Sequence, residues 1–203
     1  VAHYFDTPEG ADDPRWVTLK VVDRQLRLRT GVGVFSRARI DPGSAVLLDL
    51  APAPPAEGDM LDLGCGYGPL ALTMAALSPK ATVWAVDINE RARELAAQNA
   101  ARAGLTNVLV RAPDAVPEDV SFGAIWSNPP IRVGKEALHA LLTRWLSRLA
   151  PDGVALLVVQ RYLGSDSLHR WLEHQGWPTT RIGSRRGFRV LRSTARPLRR
   201  SGA

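Results

Sequence analysis

From Asp59 onward, short apolar runs alternate with longer segments whose apolar positions recur at helical spacing. The short runs predict strands over Asp59–Leu63 ("DMLDL"), Ala81–Asp87 ("ATVWAVD"), Asn107–Arg111, Phe122–Ser127 ("FGAIWS"), Gly153–Gln160 ("GVALLVVQ") and Gly187–Ser193. The longer segments predict helices over Pro69–Ser78, Asn89–Gly104, Gly134–Ala150 and Gly164–Gly176. Pro69 suits a first helical turn, Asn89 a helix start and Gly104 a helix end. Strands and helices in alternation predict an α/β domain built on a mostly parallel sheet.

Before Asp59 the pattern is looser. Residues 1–15 are polar and proline-bearing and read as an arm. Arg15–Ser36 alternates apolar with polar residues, enough for two short strands. Asp41–Ala51 reads as a short helix beginning near Pro42, and Pro52–Gly58 as a stiff linker. The expected organisation is an N-terminal arm, 1–58, with short strands and a helix packed on a core, 59–203, that ends in a basic tail.

Composition narrows the classes. The chain has 203 residues and is 45% hydrophobic, sufficient for one domain with a sizeable core. Its net charge is +6, from 23 arginines and three lysines against 20 acids. Arginine grips phosphate bidentately, so the excess is compatible with a polyanionic partner, although Arg- and Ala-rich usage also arises from genome bias. One cysteine excludes an internal disulfide and a Cys-x-x-Cys zinc site. The four histidines show no metal spacing. No apolar stretch is long enough to span a membrane, and the first ten residues do not have the form of a signal peptide. The expectation is a cytoplasmic, monomeric protein with no metal.

The chemistry concentrates at the carboxyl ends of the predicted strands, where open parallel sheets bind ligands. "LDLGCGYGP" (Leu61–Pro69) joins the first core strand to its helix, with Gly64, Gly66 and Gly68 spaced G-x-G-x-G. A dinucleotide fingerprint needs its third glycine at position 69, which is Pro69. Asp62, just before the loop, would repel a pyrophosphate and attract an ammonium group. Asp87 ends the next strand and suits a pair of ribose hydroxyls, a feature shared by NAD and S-adenosylmethionine sites. Asp114 follows the third strand and fits either an adenine amino group or a plain loop aspartate. Cys65 reads as packing within the loop.

"SNPPIRVGK" (Ser127–Lys135) places Asn128 at the same edge. An exocyclic amine is a poor nucleophile because its lone pair is delocalised. The Asn128 side-chain carbonyl and the Pro129 backbone carbonyl could both accept from such an amine and draw it toward a tetrahedral shape. Pro129 and Pro130 would stiffen the turn that holds them. An asparagine capping a Pro-Pro turn is the simpler account of the stretch taken alone.

"DLGCGYG" with "NPPIR" resembles the small-domain class I methyltransferases, in particular the ribosomal RNA guanine exocyclic-amine methyltransferases and their single-domain relatives. "HYF" (His3–Phe5), "GVFS" (Gly33–Ser36), "NPPIRVGKEALH" (Asn128–His139) and "GFRVLR" (Gly187–Arg192) extend the resemblance over nearly the whole chain. It implies a Rossmann-like, seven-stranded, mostly parallel sheet with the last strand antiparallel and helices on both faces. It implies S-adenosylmethionine held by Asp62, Gly64, Gly66, Gly68, Asp87, Ile88 and Asp114, and methylation of guanine N2 in small-subunit ribosomal RNA. Asn128, Pro129, Pro130 and Ile131 would form the catalytic motif. Many relatives carry an aromatic residue where Ile131 stands, so stacking on the target must come from elsewhere, with Phe35 and Phe188 as candidates. Arg132 and Lys135 at a helix start, and Arg189 in the cluster Arg185, Arg186, Arg189 and Arg192, are candidate RNA contacts. Arg196, Arg199 and Arg200 follow that cluster. A charged strand edge that blocks aggregation is the competing account. The competing functions are a protein glutamine-amide methyltransferase, a nicotinamide-dependent oxidoreductase and a non-catalytic RNA-binding module.

Overall fold

The computed structural model describes residues 15–31, 34, 36 and 38–197. The arm up to residue 14 and the end of the basic tail, with Arg199 and Arg200, lie outside the described residues.

Strict alternation makes the first two strands. In β1 (Arg15–Val21) and β2 (Arg24–Thr30), Val17, Leu19, Val21, Leu26, Leu28 and Thr30 are buried on one face. The two pair as an antiparallel hairpin separate from the main sheet. Helix α1 (Pro42–Leu50) starts where Asp41 accepts from the Ser44 N–H, a side-chain cap that proline at N1 accompanies. Then β3 (Glu57–Leu63), α2 (Pro69–Leu77), β4 (Lys80–Val86), α3 (Glu90–Ala103) and β5 (Val108–Arg111) follow the predicted alternation. Asn89 caps α3 through the Ala92 N–H, and Gly104 ends it at φ 68°. Strand β6 (Phe122–Ser127), α4 (Lys135–Leu146), β7 (Leu149–Gln160), α5 (Ser165–His174), β8 (Thr179–Arg185) and β9 (Phe188–Thr194) complete the chain.

The seven-stranded sheet has the order β5-β4-β3-β6-β7-β9-β8. Only β9 runs antiparallel to its neighbours β7 and β8. Chain order reverses between β3 and β6, so the crevice of this open sheet falls beyond their carboxyl ends. One face packs Leu61, Val86, Ile125 and Leu157 against Leu142 and Trp145 of α4 and Leu172 of α5. The other packs Met60, Val83, Ala124 and Val158 against Leu47 of α1, Met74 of α2 and Ala96 of α3. The hairpin covers α2 and α3 from outside, through Leu19, Leu28, Leu72 and Leu95.

The sequence reading placed no strand at β8. "TTRIGSR" has little apolar periodicity because it is an edge strand, half exposed, with only Ile182 as an apolar contact to the core. The charged last strand is therefore not an edge: β9 lies between β7 and β8, which removes the edge-blocking account of its arginines.

Candidate active site

Fully buried Asp62 begins the site. Its Oδ2 accepts from the Ala71 N–H at 2.8 Å, in the first turn of α2. Its Oδ1 is buried with no hydrogen-bond partner, and the residue lines a cavity of about 300 Å³. Burial pushes the carboxyl up to about 8, against the Ala71 N–H and with a smaller push from Asp87. An unpaired buried acceptor of this kind calls for a cation or a strong donor.

The loop after Asp62 needs its glycines for backbone conformation. Gly64 and Gly66 lie at φ 75° and 54°, and a Cβ on either would meet open space. Gly64 and Cys65 donate to the Val86 carbonyl at 2.8 and 3.0 Å, so the loop folds back over the end of β4. There the Asp87 carboxylate accepts from the N–H groups of Gly66 and Asn89, both at 2.9 Å. Burial raises its pKa, and those N–H groups and Arg93 oppose the shift. Arg93 donates to the Asp87 and Ile88 carbonyls, while the Ile88 side chain is 62% exposed beside the cavity wall.

Across the crevice, the Ser127 hydroxyl donates to the Leu63 carbonyl at 2.7 Å and locks the ends of β6 and β3 together. Asn128 then enters the same cavity as Asp62 and Asp87. Its amide nitrogen donates to Asp41 Oδ1 at 2.5 Å and to the Ser44 hydroxyl at 3.2 Å. A carboxylate only accepts, so Asp41 fixes which end of the amide is which. The Asn128 carbonyl oxygen is left without a partner among the described residues. The Pro129 carbonyl accepts from the Ile131 N–H at 2.8 Å, which leaves one of its two lone pairs for a substrate.

Sequence reasoning missed Asp41 and Ser44. The Asp41 signal was local, a helix cap, whereas its contact to Asn128 spans 87 positions. Tyr67 and Val34 also line the cavity.

The remaining candidates are dispersed. Ile131 is half buried and packs against the core on the α4 side. Arg132 and Lys135 are exposed around the start of α4. Asp114 is exposed in a 3-10 turn, paired with Arg144 at 2.8 Å, and is not part of the cavity wall. Arg189 is largely covered and held by Asp166 and Ser165 of α5. Arg185 pairs with Asp49 at 3.2 Å. Phe35 lies outside the described residues. The Phe188 ring packs on Gly43, two residues from Asp41.

A family model, the methyltransferase small domain, matches residues 25–192. The chain belongs to this methyltransferase family. Within it, the chain is 31% identical to the uncharacterized protein YbxB of Bacillus subtilis over 194 residues, covering 94% of this chain and 96% of that protein. It is 32% identical to the ribosomal RNA small subunit methyltransferase C of Pseudomonas aeruginosa, covering 85% of this chain and 52% of that protein. A solved 16S rRNA N2 G1207 methyltransferase of T. thermophilus, in complex with AdoMet and guanosine, superposes with a TM-score of 0.78 at 25% identity. That match covers 94% of this chain and 52% of the other. The chain thus spans nearly all of YbxB and about half the length of the methyltransferases C that it matches.

Methyltransferase membership replaces the nicotinamide reading, and Pro69 as the first residue of α2 agrees. The residues in place fit S-adenosylmethionine: a buried, unpartnered carboxylate oxygen for its ammonium group, an open glycine-loop backbone, and Asp87 at the end of β4. Among the described residues, no group of three His, Cys, Asp or Glu could hold a metal ion, and no helix is long and apolar enough to cross a membrane.

Proposed function

We propose that this protein transfers a methyl group from S-adenosylmethionine to an exocyclic amine, the N2 of a guanine in small-subunit ribosomal RNA. The observation that carries the reading is the amide of Asn128, fixed by Asp41 with its carbonyl unspent, in the same cavity as the glycine loop. The names of the matched relatives supply the RNA and guanine terms.

Asp62 would hold the cofactor's ammonium group and Asp87 its ribose hydroxyls, with Gly64–Gly68 along the wall. Bound there, the cofactor supplies an electrophilic methyl on sulfur. The chain's own residues prepare the amine. Asn128 accepts one N–H and the free lone pair of the Pro129 carbonyl accepts the other. This polarises the nitrogen and releases its lone pair for attack. As the N–C bond forms, the bond from that methyl to sulfur would break and its electron pair stay on sulfur, so positive charge passes to the nitrogen, and these oriented dipoles stabilise it there without reorganising. The proton then leaves the nitrogen to water. Asp41 lies behind Asn128 and, through its hydrogen bond to the amide nitrogen, keeps the Asn128 carbonyl turned toward the amine.

The reading also joins the arm, 1–58, to the core, 59–203, as one catalytic unit, supported by the contact of Asp41 and Ser44 with Asn128. The test uses radiolabelled S-adenosylmethionine and small ribosomal subunits lacking the native modification. Label recovered as N2-methylguanosine after RNA digestion is the expected result. Label only in protein would shift the acceptor to a glutamine amide. No label, despite cofactor binding, would contradict the reading.

A further inference from the structure

The carboxyl edge of the sheet carries more than the cavity. Beyond Asn128 the strand order continues β6-β7-β9-β8, and β8 runs parallel to β7. Three turns therefore stand in a row at this edge: Ile131–Val133 after β6, Arg161–Leu163 after β7, and the Arg186-Gly187 turn joining β8 to β9. Each exposes an arginine, Arg132, Arg161 and Arg186. Arg186 holds a φ of 51°, the left-handed region that asparagine or glycine usually fills in a two-residue hairpin turn. The middle turn also exposes Tyr162, at 81% the most exposed large hydrophobic side chain among the described residues. Other rings at this edge are engaged: Tyr67 is buried, and Phe188 packs on Gly43.

Tyr162 is displayed on a held backbone. The Arg161 N–H donates to the Gly187 carbonyl at 2.8 Å, and the Arg161 carbonyl accepts from the Ser165 hydroxyl at 3.4 Å. The Arg161 guanidinium lies 5.6 Å from the Tyr162 ring centroid, against one face. A ring covered on both faces could not be 81% exposed, so the other face is open. The turn is also close to the catalytic motif. Ser127 pairs with Leu157, and β7 runs on to Gln160 before the turn starts. The turn therefore begins about 10 Å beyond the level of Ser127, on a strand roughly 5 Å to its side.

We propose that Tyr162 binds substrate: its open face stacks on a base of the RNA strand that carries the target guanine, and Arg132, Arg161 and Arg186 meet that strand's phosphates. The proposal rests on the RNA reading above and adds the path of the strand, from Asn128 across the end of β7 to the β8–β9 turn. An aromatic face with arginines on either side suits a single strand, because every base offers a π-face and every linkage a charge. The neighbouring acids Asp49 and Asp166 are held by Arg185 and Arg189, which reduces their repulsion of a phosphate.

The test measures initial rates of methyl transfer against the concentration of small ribosomal subunits lacking the native modification. Tyr162→Ala is expected to raise KM on the order of tenfold, the effect of one base–aromatic stack, with kcat and S-adenosylhomocysteine affinity within about twofold of wild type. Tyr162→Phe keeps the ring and should keep the wild-type KM. Arg186→Ala should raise KM by less and weaken its dependence on salt. A wild-type KM in Tyr162→Ala, or an equal rise in Tyr162→Phe, would overturn the stack and leave an RNA substrate standing. A wild-type chain that methylates no RNA would overturn both.

Discussion

Asp41 makes two uses of one oxygen: Oδ1 accepts from the Ser44 N–H at 2.9 Å and from the Asn128 amide at 2.5 Å. A substitution pair separates its roles. Asp41→Ala frees the Asn128 amide to turn over, and methyl transfer is expected to fall by about tenfold or more while cofactor affinity holds. Asp41→Asn retains an oxygen for both contacts and caps a helix as well, so most activity should remain. Equal losses in the two would show that charge, not orientation, is what Asp41 supplies. Asp62 gives a pH signature. Its folded carboxyl ionises near 8, above the ordinary 3.8. Between those values the folded protein holds a proton that the unfolded chain has released. This group's contribution to stability therefore falls as pH rises through that window and is flat above it. Asp62→Asn, neutral throughout, should lose that part of the slope in urea midpoints measured without cofactor from pH 5 to 8. The glycine loop and Asn128 were legible in the sequence because their signal is local. The role of Asp41 was not, since only the packing of α1 against the sheet brings it to Asn128.

At the scale of elements, the central strands were readable because burial on both faces leaves continuous apolar runs. The hairpin was readable because burial on one face leaves strict alternation. Edge strand β8 has neither pattern, and without it the sequence left open whether the last strand is an edge. Arg189 of β9 carried functional weight in the sequence because it clusters with other arginines, whereas the structure pairs it internally. Arg189 ties β9 to α5 through Asp166 and Ser165. Arg189→Ala is expected to lower stability by about 1–2 kcal/mol in denaturant titrations and to leave RNA affinity within about twofold. A large loss of RNA affinity at unchanged stability would return Arg189 to the substrate surface.

For the molecule as a whole, the reversal of strand order between β3 and β6 brings two otherwise separate motifs into one crevice. The sequence supplied the motifs; their adjacency follows from sheet topology, with Ser127 hydrogen-bonded to Leu63 at the junction. A ligand that binds only the folded form raises the melting temperature by mass action, worth about 2.7 kcal/mol at a hundredfold excess over Kd. S-adenosylhomocysteine should therefore shift the melting temperature by several degrees, and NAD should not. An equal shift by NAD would contradict the cofactor assignment. The most direct test of the central claim is to measure, for Asn128→Ala, both the S-adenosylmethionine dissociation constant and the single-turnover rate of methyl transfer to small-subunit ribosomal RNA. The expected result is affinity within about threefold of wild type and a rate lower by roughly 10²–10³, the loss typical of one preorganised hydrogen-bonding group. A wild-type rate would show that Asn128 does not hold the amine, and a rate that falls only in step with cofactor affinity would make it a cofactor ligand.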